Sequence, residues 1–300
     1  MKKRICLYCG NESIKHGKTS KGIQRYRCKT CQKSYILDVS PLKGINLSPY
    51  KIKKFIGYML DDVTLEVIAR NLSINLKTAH YYRHLVFHSL SDYQETIILN
   101  GTIIIDETFI SIREKKHRLT NPDNLETRGI SYNQLCIITL VTLQGLGLAK
   151  VSSRAMAMPE DYKRLFNHNM GKVTLFLYDG NVRGYQFMKQ FGDKINIRKE
   201  GKDTYSELRL ESFQSNLKRY FFKHSGYRLK NVQHYLNFFV YRSNALILEN
   251  PITQTERLKA FNKMIEDLYR KIKVTAKAVT YRTYIKDKGI DSILNKTNRK

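Results

Sequence analysis

The chain has 300 residues, with 53 Lys and Arg against 26 Asp and Glu, a formal net charge of +27, and 42% hydrophobic residues. That apolar content excludes wholesale disorder, and the length fits about two domains. No apolar stretch follows the basic start MKKRICLYCGNES, and no run approaches the roughly 18 apolar residues of a membrane span, so the expectation is a soluble intracellular protein without a membrane partner.

The charge is unevenly placed. Residues 1–40 carry 10 basic and 2 acidic residues, and residues 213–300 carry 19 and 6, whereas residues 106–212 hold 13 of the acids against 17 bases. Basic flanks around a more balanced middle suggest anion-binding modules attached to something that needs its carboxylates.

Residues 1–40 hold two pairs of cysteines, Cys6-Leu7-Tyr8-Cys9 and Cys28-Lys29-Thr30-Cys31. Two such knuckles can place four thiolates tetrahedrally around Zn²⁺, and a segment this short needs a metal to make up for its small core. Between the pairs, Ile23-Gln24-Arg25-Tyr26-Arg27 alternates as a strand does, which predicts a zinc ribbon with Arg25 and Arg27 available to DNA. His16 falls in the intervening segment, read as a solvated loop residue. Cys136 lies in the apolar run Gln134-Leu135-Cys136-Ile137-Ile138 and reads as a buried core thiol.

Residues 41–96 read as three short helices between 49 and 90. Ile52, Phe55, Ile56 and Met59 line the first, Leu65, Ile68, Ala69 and Leu72 the second, and Ala79, Tyr82, Leu85 and Val86 the third, with Asn75 as its N-cap. The layout is that of a helix-turn-helix whose last helix presents Lys77, His80, Tyr81 and Arg83 to a major groove.

From residue 97 the period changes. Strands are expected over 102–108, 134–143, 147–153 and 172–178, a helix over 159–169, another over 184–191, a short strand over 194–198 and a long helix over about 205–224. This βββαβαβα order is that of an α/β RNase H-like fold, a mixed sheet covered by helices, spanning 97–250. Asp106 sits at the end of the first strand, Asp179 at the C-terminal end of the fourth, and Glu211 on the long helix. Carboxylates converging there suit Mg²⁺ or Mn²⁺ and two-metal displacement at phosphorus. Glu207, four residues before Glu211, shares its helix face and is the rival candidate for the third acid. Lys218 lies two turns beyond Glu211 and could reach a phosphate, and Arg219 and Lys223 continue a basic, DNA-binding surface. A helix over 229–248 carries Tyr235, Phe238, Phe239 and Tyr241, which read as core. Residues 251–300 form a basic helical tail with Leu258, Phe261, Ile265, Leu268 and Ile272 in helical period, suited to a partner or to clamping DNA.

These motifs resemble one family. Cys6-Leu7-Tyr8-Cys9-Gly10, Gln24-Arg25-Tyr26-Arg27-Cys28-Lys29-Thr30-Cys31, Ile105-Asp106-Glu107-Thr108, Arg128-Gly129-Ile130-Ser131, Tyr178-Asp179-Gly180, Leu210-Glu211-Ser212-Phe213 and Leu217-Lys218-Arg219 occur in the order found in zinc-ribbon DDE insertion-sequence transposases. The resemblance is to the bacterial group related to Merlin elements and spans roughly residues 5–248. It implies Asp106, Asp179 and Glu211 as ligands of the catalytic ions, with Lys218 accompanying the third acid. It further implies double-stranded DNA partners (terminal inverted repeats and a target), a homodimer or higher synaptic complex, and a nucleoid-associated place in a bacterial cytoplasm. The chain departs from the family at Leu208, where a polar residue, commonly Asn, stands three positions before the Glu. A nuclease that hydrolyses without joining, and an inert DNA-binding regulator, are the alternatives.

Overall fold

The computed structural model describes residues 5–6, 8–20, 24–36, 47–114, 118, 126–127, 130–192, 194–197, 204–275 and 289–290. Contacts divide the chain into two units, Met1–Ser89 with Phe261–Lys286 and Leu90–Ala260 with Asp287–Lys300. In this division residues 90–96 fall in the second unit and residues 261–275 in the first.

In the first unit, β1 (Ser13–Lys18), β2 (Gln24–Cys28) and β3 (Ser34–Ile36) form an antiparallel sheet in that order. His16 is therefore on a strand, not in a loop. The alternation of β2 works as its sequence implies: Tyr26 and Cys28 are buried while Arg25 and Arg27 point to solvent. Among the described residues the ribbon's buried cluster is Cys6, Tyr26, Cys28 and Tyr35, with Cys31 packed against it.

Helices α1 (Pro49–Leu60), α2 (Leu65–Asn71) and α3 (Leu76–His88) follow. Ser48 caps α1 by accepting from the Lys51 amide, with Pro49 in the first turn, and Asn75 caps α3 by accepting from the Lys77 amide at 2.8 Å. Both intervening turns are Schellman closures. Val63 and Asp62 donate to the carbonyls of Tyr58 and Met59, and Ile74 and Ser73 donate to those of Ala69 and Arg70, with Asp62 and Ser73 left-handed at φ 61° and 50°. The twelve apolar positions expected to face inward are all buried. α8 (Gln254–Thr275) returns to this layer: a Cβ on Gly57 of α1 would lie 3.4 Å from Ile265 and 3.9 Å from Phe261, and Lys53 pairs with Glu266. Its buried stripe is Ala260, Met264, Leu268, Tyr269 and Ile272, so the expected stripe holds at Leu268 and Ile272, while Leu258 is exposed. The rest of the tail, 276–288 and 291–300, lies outside the described residues.

The second unit is built on a five-stranded mixed sheet. Its strands are β4 (Leu99–Ser111), β7 (Gln134–Thr142), β8 (Gly147–Arg154), β9 (Met170–Tyr178) and β10 (Ile195–Ile197), ordered β10-β9-β4-β7-β8, with β5 (Glu126–Thr127) and β6 (Ile130–Ser131) forming a separate small hairpin. β4 pairs antiparallel with β7 and parallel with β9, β7 pairs antiparallel with β8, and β9 pairs parallel with β10. Counting the sheet's own strands in chain order, this is 3-2-1-4-5, the RNase H-like arrangement. Helices α4 (Pro159–Phe166), α5 (Tyr185–Lys189), α6 (Thr204–Lys223) and α7 (Val232–Glu249) flank it. The α7 aromatics Tyr235, Phe238, Phe239 and Tyr241 are all buried.

β8 is an edge strand, and its outward backbone groups need partners that no sixth strand provides. Three side-chain amides supply them. Asn244 accepts from the Gly147 amide at 2.8 Å and donates to its carbonyl at 2.9 Å, Gln94 does the same at Ala149, and Gln233 accepts from the Val151 amide at 2.9 Å. Gln94 is thereby tied to the sheet, which explains why the second unit begins at residue 90. Gly147 has a second role on this edge. A Cβ there would lie 2.4 Å from the Phe213 ring of α6, so the absence of a side chain lets that helix come close to the strand.

Candidate active site and metal centre

The ribbon cysteines converge. The four Sγ atoms of Cys6, Cys9, Cys28 and Cys31 all lie within 4.8 Å of one another, with Cys6 to Cys31 at 3.7 Å and Cys9 to Cys28 at 3.4 Å. Four thiolates at about 2.3 Å from a tetrahedral Zn²⁺ stand about 3.8 Å apart, so the donor set fits that ion in type and spacing. Amides support the sulfurs: Tyr8 donates to Cys6 Sγ, and Thr30 and Cys31 donate to Cys28 Sγ. Burial opposes a charge on Cys28, but those two amides, with help from the Cys9 and Cys31 thiols, bring it down to about 6. Cys31 is pushed up to about 11, because the Lys33 amide and burial act in opposite directions while the three neighbouring thiols all disfavour another charge.

On the expected DNA-reading helix, Lys77 is exposed and His80 and Arg83 are half-buried, but Tyr81 is 3% exposed. Tyr81 therefore belongs to the core and not to the face that carries Lys77; burial pushes its phenol pKa up. Tyr81 shares its helix face with the buried His84 and Leu85, three and four residues further on, which carries it into the core.

The sheet brings two of the expected acids side by side. After two register shifts, β4 and β9 pair at an offset of 73 residues, Thr102 with Leu175, Ile103 with Phe176 and Ile104 with Leu177. Asp106 lies on β4 two residues beyond the last of these pairs, and Asp179, 73 residues on, immediately follows the end of β9. Both residues line one small pocket with Ile105, Glu107, Tyr162, Tyr178, Asn181, Gly184 and Met188. Asp106 is half-buried: Oδ1 accepts from the Glu107 amide at 2.7 Å, and Oδ2 accepts from Nε2 of Gln214 at 3.3 Å. Gln214 also donates to Thr139 Oγ1 at 3.1 Å, and Thr139, the register partner of Asp106 on β7, donates to the Asp106 carbonyl at 3.0 Å. Asp179 is exposed at the strand's end and accepts from the Asn181 amide at 2.9 Å. Two carboxylates on adjacent strands are the hard oxygen donors that Mg²⁺ or Mn²⁺ takes.

α6 lies against this pair, but Gln214 is the residue that meets Asp106. Glu211 is exposed one turn earlier, and Lys218, Arg219 and Lys223 are exposed further along. Positions 207, 211, 214 and 218 share one helical stripe. The Glu207 side chain, like Arg128 and Gly129, lies outside the described residues. Leu208 is 62% exposed and lines a separate groove with Arg209, Ser212, Phe213 and Asn216. Sequence reasoning missed Gln214, although its spacing of three from Glu211 already placed it on the same face.

It also missed Glu107. Consecutive strand residues face opposite sides, so Glu107 points away from α6 and into the core under α4. Its side chain is 7% exposed. It accepts from Tyr162 Oη at 2.6 Å, Asn181 Nδ2 at 3.1 Å and Cys136 Sγ at 3.6 Å, with the Arg183 guanidinium 4.0 Å away. Burial and the Glu107 charge push the Tyr162 phenol and the Cys136 thiol far above their ordinary ranges.

The fold and site define a mixed α/β protein with an RNase H-like sheet, an N-terminal four-cysteine cluster and a carboxylate pair at the sheet's centre. No family model matches the chain, and no curated protein does. Among solved structures it is similar to the Mos1 transposase paired-end complex with left transposon end, at 12% identity over 81% of this chain and 83% of that one, TM-score 0.30. It is also similar to the Mos1 Strand Transfer Complex (12%, 79% and 82%, 0.29) and to a pre-cleavage Mos1 transpososome (11%, 81% and 82%, 0.25). At such scores the functional reading stands on the site itself. No helix among the described residues is long and apolar enough to cross a membrane.

Proposed function

We propose that the chain is a metal-dependent DNA transposase of the DDE type. The observation that supports this reading is that Asp106 and Asp179 line one pocket, with α6 joined to Asp106 through Gln214. In this reading Asp106, Asp179 and Glu211 hold Mg²⁺ or Mn²⁺, Zn²⁺ sits among the ribbon cysteines, and Lys218 contacts a phosphate. The bound divalent ions would supply activation of the attacking oxygen and stabilisation of the leaving one.

The chain's own residues do the rest. The exposed Arg25 and Arg27 of β2, with Lys77, His80 and Arg83 of α3, collect the phosphates and groove edges of the terminal inverted repeats. Lys218, Arg219 and Lys223 extend a basic face along α6, so a phosphodiester held there lies next to the carboxylate stripe. Gln214 holds Asp106 through Oδ2, which leaves the carboxylate in one orientation rather than several. Water attacks one phosphodiester at each element end, and the freed 3′-hydroxyl then attacks target DNA. Cutting two ends in concert requires a dimer or higher assembly.

Incubation of the full chain with Mg²⁺ or Mn²⁺, labelled element ends and a target plasmid tests this. Joined products are expected. Cleavage without joining would identify a nuclease instead, and binding without cleavage a DNA-binding regulator.

A further inference from the structure

Glu107 is a carboxylate kept in an apolar layer, directly beside the candidate metal ligands but on the other side of the sheet. Ile105, Tyr178 and Met188 surround the same pocket. Burying a charge there is costly unless its oxygens are well partnered. Glu107 has such partners: Tyr162 Oη and Asn181 Nδ2 both donate to Oε1, and Cys136 Sγ and Arg183 approach Oε2. One of them leads back to the site. The Asn181 side chain donates to Glu107 at 3.1 Å while its backbone amide donates to Asp179 Oδ1 at 2.9 Å. Asn181 Oδ1 also accepts from the Arg183 amide at 3.2 Å, capping the short turn that follows. A single residue thus spans two carboxylates, one fixed in the core and one at an exposed strand end.

We propose that Glu107 is a positioning residue for the metal site: through Asn181 it anchors the loop after β9 and holds the Asp179 carboxylate in the direction of Asp106. The inference rests on the proposed function, because it needs Asp179 to be a metal ligand. Asp179 follows the last residue of its strand and precedes Gly180 at φ 90°, so the ladder alone does not fix its side chain. The link to Glu107 replaces that missing constraint. Tyr162, buried on α4, holds Glu107 from the opposite side. Partners that orient metal ligands in this way are worth about 10- to 100-fold in metal affinity.

The test uses the full chain with its ribbon zinc in place and Mn²⁺ as the probe, counting free Mn²⁺ by electron paramagnetic resonance without DNA. Asn181→Ala and Glu107→Gln are each expected to weaken Mn²⁺ binding about tenfold or more. The double variant should be no worse than the weaker single one, because both cut the same link. Asn181 lies in a surface turn, so its variant reports on the link even where Glu107→Gln unfolds the core. Cleavage measured across Mn²⁺ concentration should show a raised half-saturating concentration with a largely preserved maximal rate, which loss of folded protein would not produce. If Asp179→Asn abolishes Mn²⁺ binding while Asn181→Ala and Glu107→Gln both stay within twofold of the parent, the positioning role is wrong and the metal reading stands. If Asp179→Asn itself leaves Mn²⁺ binding unchanged, both fall.

Discussion

Asp106 and Asp179 line one pocket, and the 73 residues between them match the offset at which β4 and β9 pair from Thr102 with Leu175 to Ile104 with Leu177, after two register shifts earlier in the ladder. The apolar pairs set the register, and a one-residue slip would turn one of the two acids to the opposite face. Core packing therefore sets the backbone positions of the two acids, while the Asp179 side chain, past the end of its strand, also depends on the Asn181 amide.

Asp106→Asn and Asp179→Asn keep shape and hydrogen-bonding capacity while removing the charge a divalent ion needs. Each is expected to lower metal-dependent cleavage of element ends by about a thousandfold or more, equivalent to about 4 kcal/mol of transition-state stabilisation. End binding in a mobility-shift assay should be retained, because Arg25, Arg27 and Lys77 are elsewhere. Cleavage by either variant within tenfold of the parent would sink the metal-site assignment. On α6, Glu211→Gln should be as damaging as either, whereas Gln214→Ala should cost about tenfold by freeing Asp106 Oδ2. The reverse order would make Gln214 the α6 residue that matters most.

The element order was legible in the sequence because the hydrophobic period changes cleanly, from 3.6 over 49–90 to strand-like runs from 97 onward, and the caps at Ser48 and Asn75 have their usual side chains. Asp179 follows the end of its apolar strand as expected, whereas Asp106 lies inside β4, which runs on to Ser111 because Glu107–Ser111 continue the ladder with β7. Other features depend on long-range contacts that no local pattern carries. Nothing near Gln94, Gln233 or Asn244 says that their amides complete the edge of β8. Glu107 looks like a second surface acid until Tyr162 and Asn181 arrive from 55 and 74 residues away. Tyr81 reads as exposed beside His80 until packing shows it buried, and α8 reads as a free tail until Gly57 admits Ile265.

Among the described residues the ribbon's buried cluster is two tyrosines and its cysteines, so with Zn²⁺ bound as proposed its folding free energy would come largely from the metal. Titration with a mercurial reagent is expected to release one Zn²⁺ per chain. The Tyr26 and Tyr35 environment should be lost with it, and affinity for element ends should fall at least tenfold. The melting of the sheet unit should not move, since its core lies within 90–260. Full end binding by metal-free protein would show that the ribbon has no part in recognition.

Cys136 is fully buried beside the Glu107 carboxylate, and burial followed by that negative charge raises its pKa. A raised thiol pKa keeps the neutral, unreactive form throughout the range below it, so the thiol stays protonated from pH 7 to 9. With Zn²⁺ occupying the other four cysteines, N-ethylmaleimide at pH 8 should modify no cysteine in the native protein, and Cys136 should react only after unfolding. In Glu107→Gln the electrostatic part of the shift disappears while burial remains, so labelling should rise only modestly. Rapid labelling of the parent would show that this layer opens readily.

Gly147 and Phe213 join the edge of the sheet to α6, the helix that carries Glu211. A methyl group at 147 would stand 2.4 Å from one ring carbon and 2.7 Å from another, closer than real contacts allow, while the Gly147 backbone is held by Asn244 on both its amide and its carbonyl. The strand cannot retreat without losing those bonds, so the ring and α6 must move instead. Gly147→Ala is expected to cost about 1–3 kcal/mol, the usual range for overpacking a filled site. The displacement should pull Gln214, the next residue after Phe213, away from Asp106, so cleavage should fall by more than the loss of folded protein explains. Phe213→Leu trims the ring that the new methyl meets. Added to Gly147→Ala it should restore part of the lost stability and activity, although alone it destabilises by removing ring contacts with Phe239. Strictly additive losses in the double variant, read by denaturant unfolding and by cleavage rate, would show that the two positions do not act through one contact.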